Sequence, residues 1–308
     1  MQHWFMNLER VALSVLLAAT ITYAHRNHVR PATPLPEPVE QVSLRSVSIE
    51  GDLPSGWTVG AAWQIERGGW WMGGFSGLEF DGENLVTLSD SGVVHRFTPP
   101  GPHAESLELR PLVLMPEPLS RDSEAILVDG DRLRIAFEGD HRVADYRADG
   151  ALESDVRIAN LFKRNRGVEA LLAGDPAIAF GELGDVALSL ENEPRELEVR
   201  GARYSVTGAA RWPGSDQPLL LLRQFGLFGM RAFVAAADVG EDAVEVSELQ
   251  PLPLGRFDNA EGLAVRAKAG GGYEVWVVTD DNRRAPLRSL LVRFDVAPDG
   301  WPEGLSSD

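Results

Sequence analysis

From about residue 43 onward, apolar positions come in strand-length runs and lack the 3.6-residue rhythm of helices. Clear runs are Asn84 to Leu88, Val93 to Phe97, Leu133 to Phe137, Ala177 to Phe180, Leu219 to Leu222 and Val275 to Thr279. Gly, Pro, Asp and Asn bound them, as expected for short strands joined by tight turns. The stretch from Glu124 shows the unit most plainly. Ala125 to Val128 is an apolar strand, Asp129-Gly130-Asp131 a turn that tolerates positive φ, and Arg132 to Phe137 a return strand closing on Glu138.

Four stretches share this plan. Each opens with a polar residue, a small one and an aliphatic: Ser76-Gly77-Leu78, Glu124-Ala125-Ile126, Glu169-Ala170-Leu171 and Glu261-Gly262-Leu263. Each second strand closes on an acid: Asp90, Glu138, Glu182 and Asp280. An antiparallel return sets the closing acid beside the opening residue. Residues 204–225 read as a fifth, degraded copy whose closing acid has become Arg223-Gln224. Third strands are expected at Val93 to Phe97, Val143 to Tyr146, Arg231 to Ala236 and Leu290 to Phe294.

Repeats of about 40 residues with three or four strands each predict an all-β fold, a β-propeller. The length at that period points to six blades, with five or seven as alternatives. The segment 57–71, with Trp57, Trp63, Trp70 and Trp71, reads as a further unit whose partner is Leu287 to Val296, so that N- and C-terminal strands close the ring. The tryptophans are expected in the core or at that closure.

The N-terminus is different. Val11 to Ala24 is an apolar run shorter than the roughly 20 residues that span a bilayer. It suits a signal peptide or signal anchor, with Thr22-Tyr23-Ala24 as a cleavage tripeptide. A buried N-terminal helix is the alternative. A Pro-rich linker follows, so the chain divides into 1–24, 25–42 and a folded domain at 43–308. The expected location is exported: periplasmic, or membrane-anchored with the domain outside the cytoplasm. The 46 acids against 29 bases give a net charge of −17. That argues against nucleic acid and against anionic lipid, leaving membrane contact only through the N-terminal segment. A monomer is expected. The absence of cysteine removes disulfides, thiolate metal sites and cysteine nucleophiles.

If the sheets are radial, the repeated acids converge on one mouth. Glu124, Glu169 and Glu261 are the candidate catalytic residues. Glu138, Glu182, Asp90, Asp280 and Asp281 are candidate ligands for a hard cation such as Ca²⁺, which takes six to eight oxygens. Arg166, Asn165, Asn259 and Asn282 are candidate substrate contacts. Each has a purely architectural alternative. The acids can bond the next blade's backbone, Arg166 can pair with a neighbouring Glu, and the amides can form Asx turns. His141, three residues past Glu138, is the one histidine placed to act as a general acid or ligand. No zincin run, Gly-x-Ser-x-Gly elbow or phosphate-cradling Gly loop with its Lys occurs.

The order and spacing of several motifs carry a resemblance. They are Phe75-Ser76-Gly77-Leu78 with Leu88-Ser89-Asp90, Asp122-Ser123-Glu124-Ala125 with Phe137-Glu138, Asn165-Arg166-Gly167-Val168-Glu169-Ala170-Leu171, Asn259-Ala260-Glu261-Gly262-Leu263 and Thr279-Asp280-Asp281-Asn282. Over roughly residues 70–296 the chain resembles the phytase-like family known as "esterase-like activity of phytase". The resemblance implies a propeller exported by bacteria and hydrolysis of phosphate or other esters, with a small anionic or ester substrate. Ser91, where a second acid is expected, and the degraded fifth repeat depart from a full acidic ring. The alternative is a non-catalytic propeller of the cell envelope that binds a ligand or partner at the same mouth.

Overall fold

The computed structural model describes residues 37–66, 68, 71–114, 122–138, 141–158, 167–190 and 194–302. Segments 1–24 and 25–36, and with them the signal and most of the linker, lie outside the described residues. The described part is entirely strand and turn.

Strand β1 (Glu40–Ser46) opens the fold slightly before residue 43, and β2 (Trp57–Ile65) follows. Four antiparallel strands then form the first blade: β3 (Phe75–Asp81), β4 (Asn84–Ser89), β5 (Val93–Phe97) and β6 (Ser106–Val113). The second blade is β7 (Ser123–Asp129), β8 (Arg132–Phe137), β9 (Arg142–Arg147) and β10 (Leu152–Arg157). The third is β11 (Val168–Leu172), β12 (Ile178–Gly181), β13 (Val186–Ser189) and β14 (Arg195–Arg200). The fourth is β15 (Ser205–Arg211), β16 (Pro218–Gly226) and β17 (Gly229–Val239), with a split outer edge of β18 (Ala243–Val246) and β19 (Gln250–Leu252). The fifth is β20 (Asn259–Ala267), β21 (Tyr273–Asp280) and β22 (Leu290–Val296), and its outermost strand is β2.

Among the described residues the ring has five blades, one of the two alternatives to six. The innermost strands β3, β7, β11, β15 and β20 each pack on the next, and β20 returns to β3. The segment from Trp57 is no separate unit. It is the outer strand of the fifth blade, pairing with β22, Trp57 opposite Val296, and so closes the ring with the C-terminal strand as expected. Strand β1 adds a second closure by pairing with β2 and with β6 across the rim.

Five apolar clusters sit between neighbouring blades, one at each interface. Alternation along a strand feeds both of its neighbours. Leu219 and Leu221 of β16 enter the interface with the fifth blade, while Leu220 and Leu222 enter the one with the third. This is why the runs read as continuously apolar: both faces of each sheet are buried. Trp63 stacks on Trp276 at 6.0 Å between the fifth and first blades, and Trp57 packs on Phe294 at the closure. Trp70 lies outside the described residues.

The innermost strands approach until backbone meets backbone. A Cβ on Gly262 would lie 2.8 Å from the carbonyl carbon of Gly77 and from the amide of Leu78; one on Gly208 would lie 2.9 Å from the Cβ of Leu263. The small residue after each opening polar position is thus a packing requirement. We expect Gly262→Ala to cost about 1–3 kcal/mol by overpacking, read from urea denaturation. Gly101→Ala, where a Cβ meets nothing within 4 Å, should stay within about 0.5 kcal/mol of the parent.

Candidate functional site

The same irregularity recurs at the inner edge of all five blades. The register between the first two strands slips by one residue, and the residue passed over is Ser76, Glu124, Glu169, Thr207 or Glu261. Each opening polar residue is therefore a β-bulge. A bulge leaves one residue without a ladder partner and re-aims its side chain. The motif recognised in the sequence is thus a bulge followed by the small residue that lets neighbouring inner strands touch.

The five slots serve two purposes. Ser76 Oγ donates to the Ser123 carbonyl of the next blade at 2.5 Å, and Thr207 Oγ1 to the Ala260 carbonyl at 2.8 Å. These hydroxyls tie blade to blade. The other three slots hold Glu124, Glu169 and Glu261.

The second-strand ends lie where the hairpin geometry places them. The amides of Asp90 and Glu138 donate to the carbonyls of Gly74 and Asp122 at 2.7 and 2.8 Å, and that of Glu182 to Gly167 at 3.1 Å. Arg223 pairs in register with Ser205, and Asp280 with Asn259, so Arg223 takes the place held by an acid in the other four blades.

Carboxylate oxygens of Asp122, Glu124 and Glu138 lie within 4.8 Å of one another. Burial drives the Glu124 carboxyl well above the usual carboxylate range, and the neighbouring Glu169, Asp122, Glu138 and Asp90 push it further. Glu169 is pushed up to about 7, chiefly by burial; Glu182 and Asp122 add to this, and the Arg223 guanidinium opposes it. Arg223 Nη2 stands 3.7 Å from Glu169, and its Nη1 pairs with Glu261 and donates to Asn259 Oδ1 at 2.7 Å. Asn259 Nδ2 in turn donates to Glu261 at 2.7 Å. Glu124, Glu169 and Glu261 thus belong to one continuous belt, with Arg223 joining the last two.

The remaining candidates lie at the edges. Asp90 accepts from Arg283 at 2.8 Å. Asp280 accepts from the Asn282 amide at 2.6 Å, and Asp281 from the Arg283 amide at 2.9 Å and the Gly74 amide at 3.3 Å. Asn282 has φ 45, so this loop is an Asx turn capped by the two aspartates, and Asn282 is part of the turn. Asn165 and Arg166 lie outside the described residues. His141 follows Glu138 with φ 48, its Nδ1 buried without a partner.

Two functional candidates escape the sequence reading. Asp122 stands two residues before its bulge, the position Asn259 holds in the fifth blade, and that equivalence is the available signal. Arg223 is visible as the odd member of the closing positions, but its two glutamate partners come from other blades.

A phytase-like family model, described as esterase-like activity of phytase, matches residues 70–182, the span from before the first bulge to the acid that closes the third hairpin. No curated protein sequence matches significantly. Among solved structures, a GH43_1 enzyme from Xanthomonas citri aligns at 11% identity and TM-score 0.49, covering 86% of this chain and 95% of its own. Glutaminyl cyclase from Myxococcus xanthus aligns at 12% and 0.45, covering 83% and 99%. The PQQ-bound aldose sugar dehydrogenase from Streptomyces coelicolor aligns at 13% and 0.42, covering 87% and 100%. The chain is a β-propeller similar to the phytase-like family across its first two blades and the opening hairpin of its third.

Proposed function

We propose that the acidic mouth is the active site of a metal-assisted hydrolase of phosphate or other esters, with Ca²⁺ as the cation. The observation that carries this reading is the Asp122, Glu124 and Glu138 trio, three carboxylates from one blade within 4.8 Å. Their mutual repulsion is relieved only by protons or a cation. An all-oxygen donor set fits a hard cation such as Ca²⁺. When bound, such an ion supplies charge to hold an anionic substrate and acidifies a water.

The chain's own groups divide the rest of the work. Glu169, poised near neutrality, can hold or release a proton beside the trio, as a general acid or base requires. Glu261 and Asn259 fix the Arg223 guanidinium, which stands as the described cation for an anionic substrate; Arg166 is a second candidate. Glu182 and Asp90 deepen the negative field.

A second reading has its own support. Ser76 and Thr207 occupy the same slots purely as ties between blades, and Arg223 is satisfied by protein partners. On that reading the mouth binds a cation or ligand without turnover, as in an envelope scaffold.

Three outcomes follow. In metal-free protein, the folded state retains protons on Glu169 that the unfolded chain has released, so Glu169 contributes a fall in stability as pH rises from about 4.5 through about 7, beside the falls from Glu79 and Glu124. Urea denaturation across that window should show the fall, and Glu169→Gln should lessen it without removing it. Millimolar Ca²⁺ should raise the melting temperature, and Glu124→Gln or Asp122→Asn should abolish the rise. Turnover on nitrophenyl phosphate and carboxylate esters should need Ca²⁺, and Glu169→Gln should lower kcat by about 100-fold or more. Calcium stabilisation without turnover would select the binding reading, and no response to Ca²⁺ would remove both.

A further inference from the structure

The β16–β17 hairpin runs past the edge of its blade. Its strands stay paired to Gly226 opposite Gly229, and the turn exposes Phe225 at 82%, Leu227 at 99% and Phe228 at 90%. Phe257, 39% exposed, lies on the neighbouring 255–258 loop, whose Arg256 carbonyl accepts from the Met230 amide at 2.9 Å. Three large apolar side chains left almost wholly in water at one turn mark a contact surface.

Charge identifies the partner. The chain is strongly acidic, yet no acid occurs between Asp216 and Asp238, nor between Glu248 and Asp258. Asp258 of that loop is buried and paired with Arg288, so the exposed charged side chains on the outer hairpin and the adjacent loop are Arg231 and Arg256. Both are exposed, and their guanidinium groups lie over the rings of Phe233 and Phe257 at 5.7 and 4.8 Å. Leu227 stands four residues beyond Arg223, about 13 Å at strand rise. That exceeds a Debye length of about 8 Å at physiological salt, so the acidic mouth is largely screened from the tip. Exposed aromatic and aliphatic side chains flanked by arginines are suited to the headgroup zone of an anionic bilayer.

We propose that the tip of the β16–β17 hairpin is a membrane-docking finger that enters the interfacial layer of an anionic lipid surface. This contact is separate from any made by Val11 to Ala24. It departs from the expectation drawn from net charge alone, because local charge decides at this range. The finger leaves from the end of the propeller that carries the mouth, so docking turns the mouth toward the lipid headgroups.

The cysteine-free chain allows a direct test. Full-length protein carrying Leu227→Cys is labelled with an environment-sensitive dye and mixed with phosphatidylglycerol–phosphatidylcholine vesicles. Asp216→Cys, at the opposite end of β16, is the control. The N-terminal segment is the same in both, so it cannot create a difference between the two positions. Docking predicts a blue shift at 227 and none at 216. Adding Phe225→Ser and Phe228→Ser should weaken the apparent partition at least tenfold with an unchanged melting temperature. Arg231→Gln with Arg256→Gln should weaken it several-fold on anionic vesicles alone. No shift at 227, an equal shift at 216, or equal response to pure phosphatidylcholine would overturn the proposal. So would a shift that needs no lipid and grows with protein concentration, which would make the occupant a second copy of the chain. None of these readouts depends on hydrolysis, so they stand apart from the reading of the mouth.

Discussion

The closeness of the five innermost strands is the constraint on which the structure depends. Their backbones meet where Gly208 and Gly262 leave no room for a Cβ and Gly77 leaves little. To reach that contact each strand must shed its pleated register, and it does so with one bulged residue immediately before the small one. The bulge is thus a structural necessity that also creates a functional opportunity. It delivers one polar side chain per blade to a common belt, from residues far apart along the chain.

What fills that slot decides its use. A hydroxyl at Ser76 or Thr207 satisfies a carbonyl of the next blade and closes the ring without charge. A glutamate cannot donate while ionised, and three of them near the hub oppose one another. Arg223 offsets part of this by standing between Glu169 and Glu261. On the Asp122, Glu124 and Glu138 side, burial drives Glu124 well upward, and the neighbouring acids add to it. Strain of this kind in an otherwise self-consistent fold belongs at a functional site.

Much of the fold was legible in the chain. Hairpin boundaries, the pairing of opening and closing residues, and closure by Trp57 against Val296 all follow from local turn chemistry and antiparallel geometry. The blade count did not, because dividing length by period treats the rim strand β1 and the connections between blades as blade material. Period-two patterning also cannot show a bulge, since one skipped residue looks like a polar interruption. That is why Asp122 was passed over beside Glu124. The role of Arg223 was hidden for another reason. Its partners Glu169 and Glu261 sit on the blades either side, and only the ring brings them together.

Glutamate side-chain ¹³C NMR titration, with Glu124→Gln and Glu169→Gln for assignment, tests the shared belt most directly. In metal-free protein, Glu169 should titrate near 7 and Glu124 well above the ordinary range, and saturating Ca²⁺ should draw Glu124 downward. Titration of both residues near the ordinary value of 4.5, with or without the ion, would contradict the account.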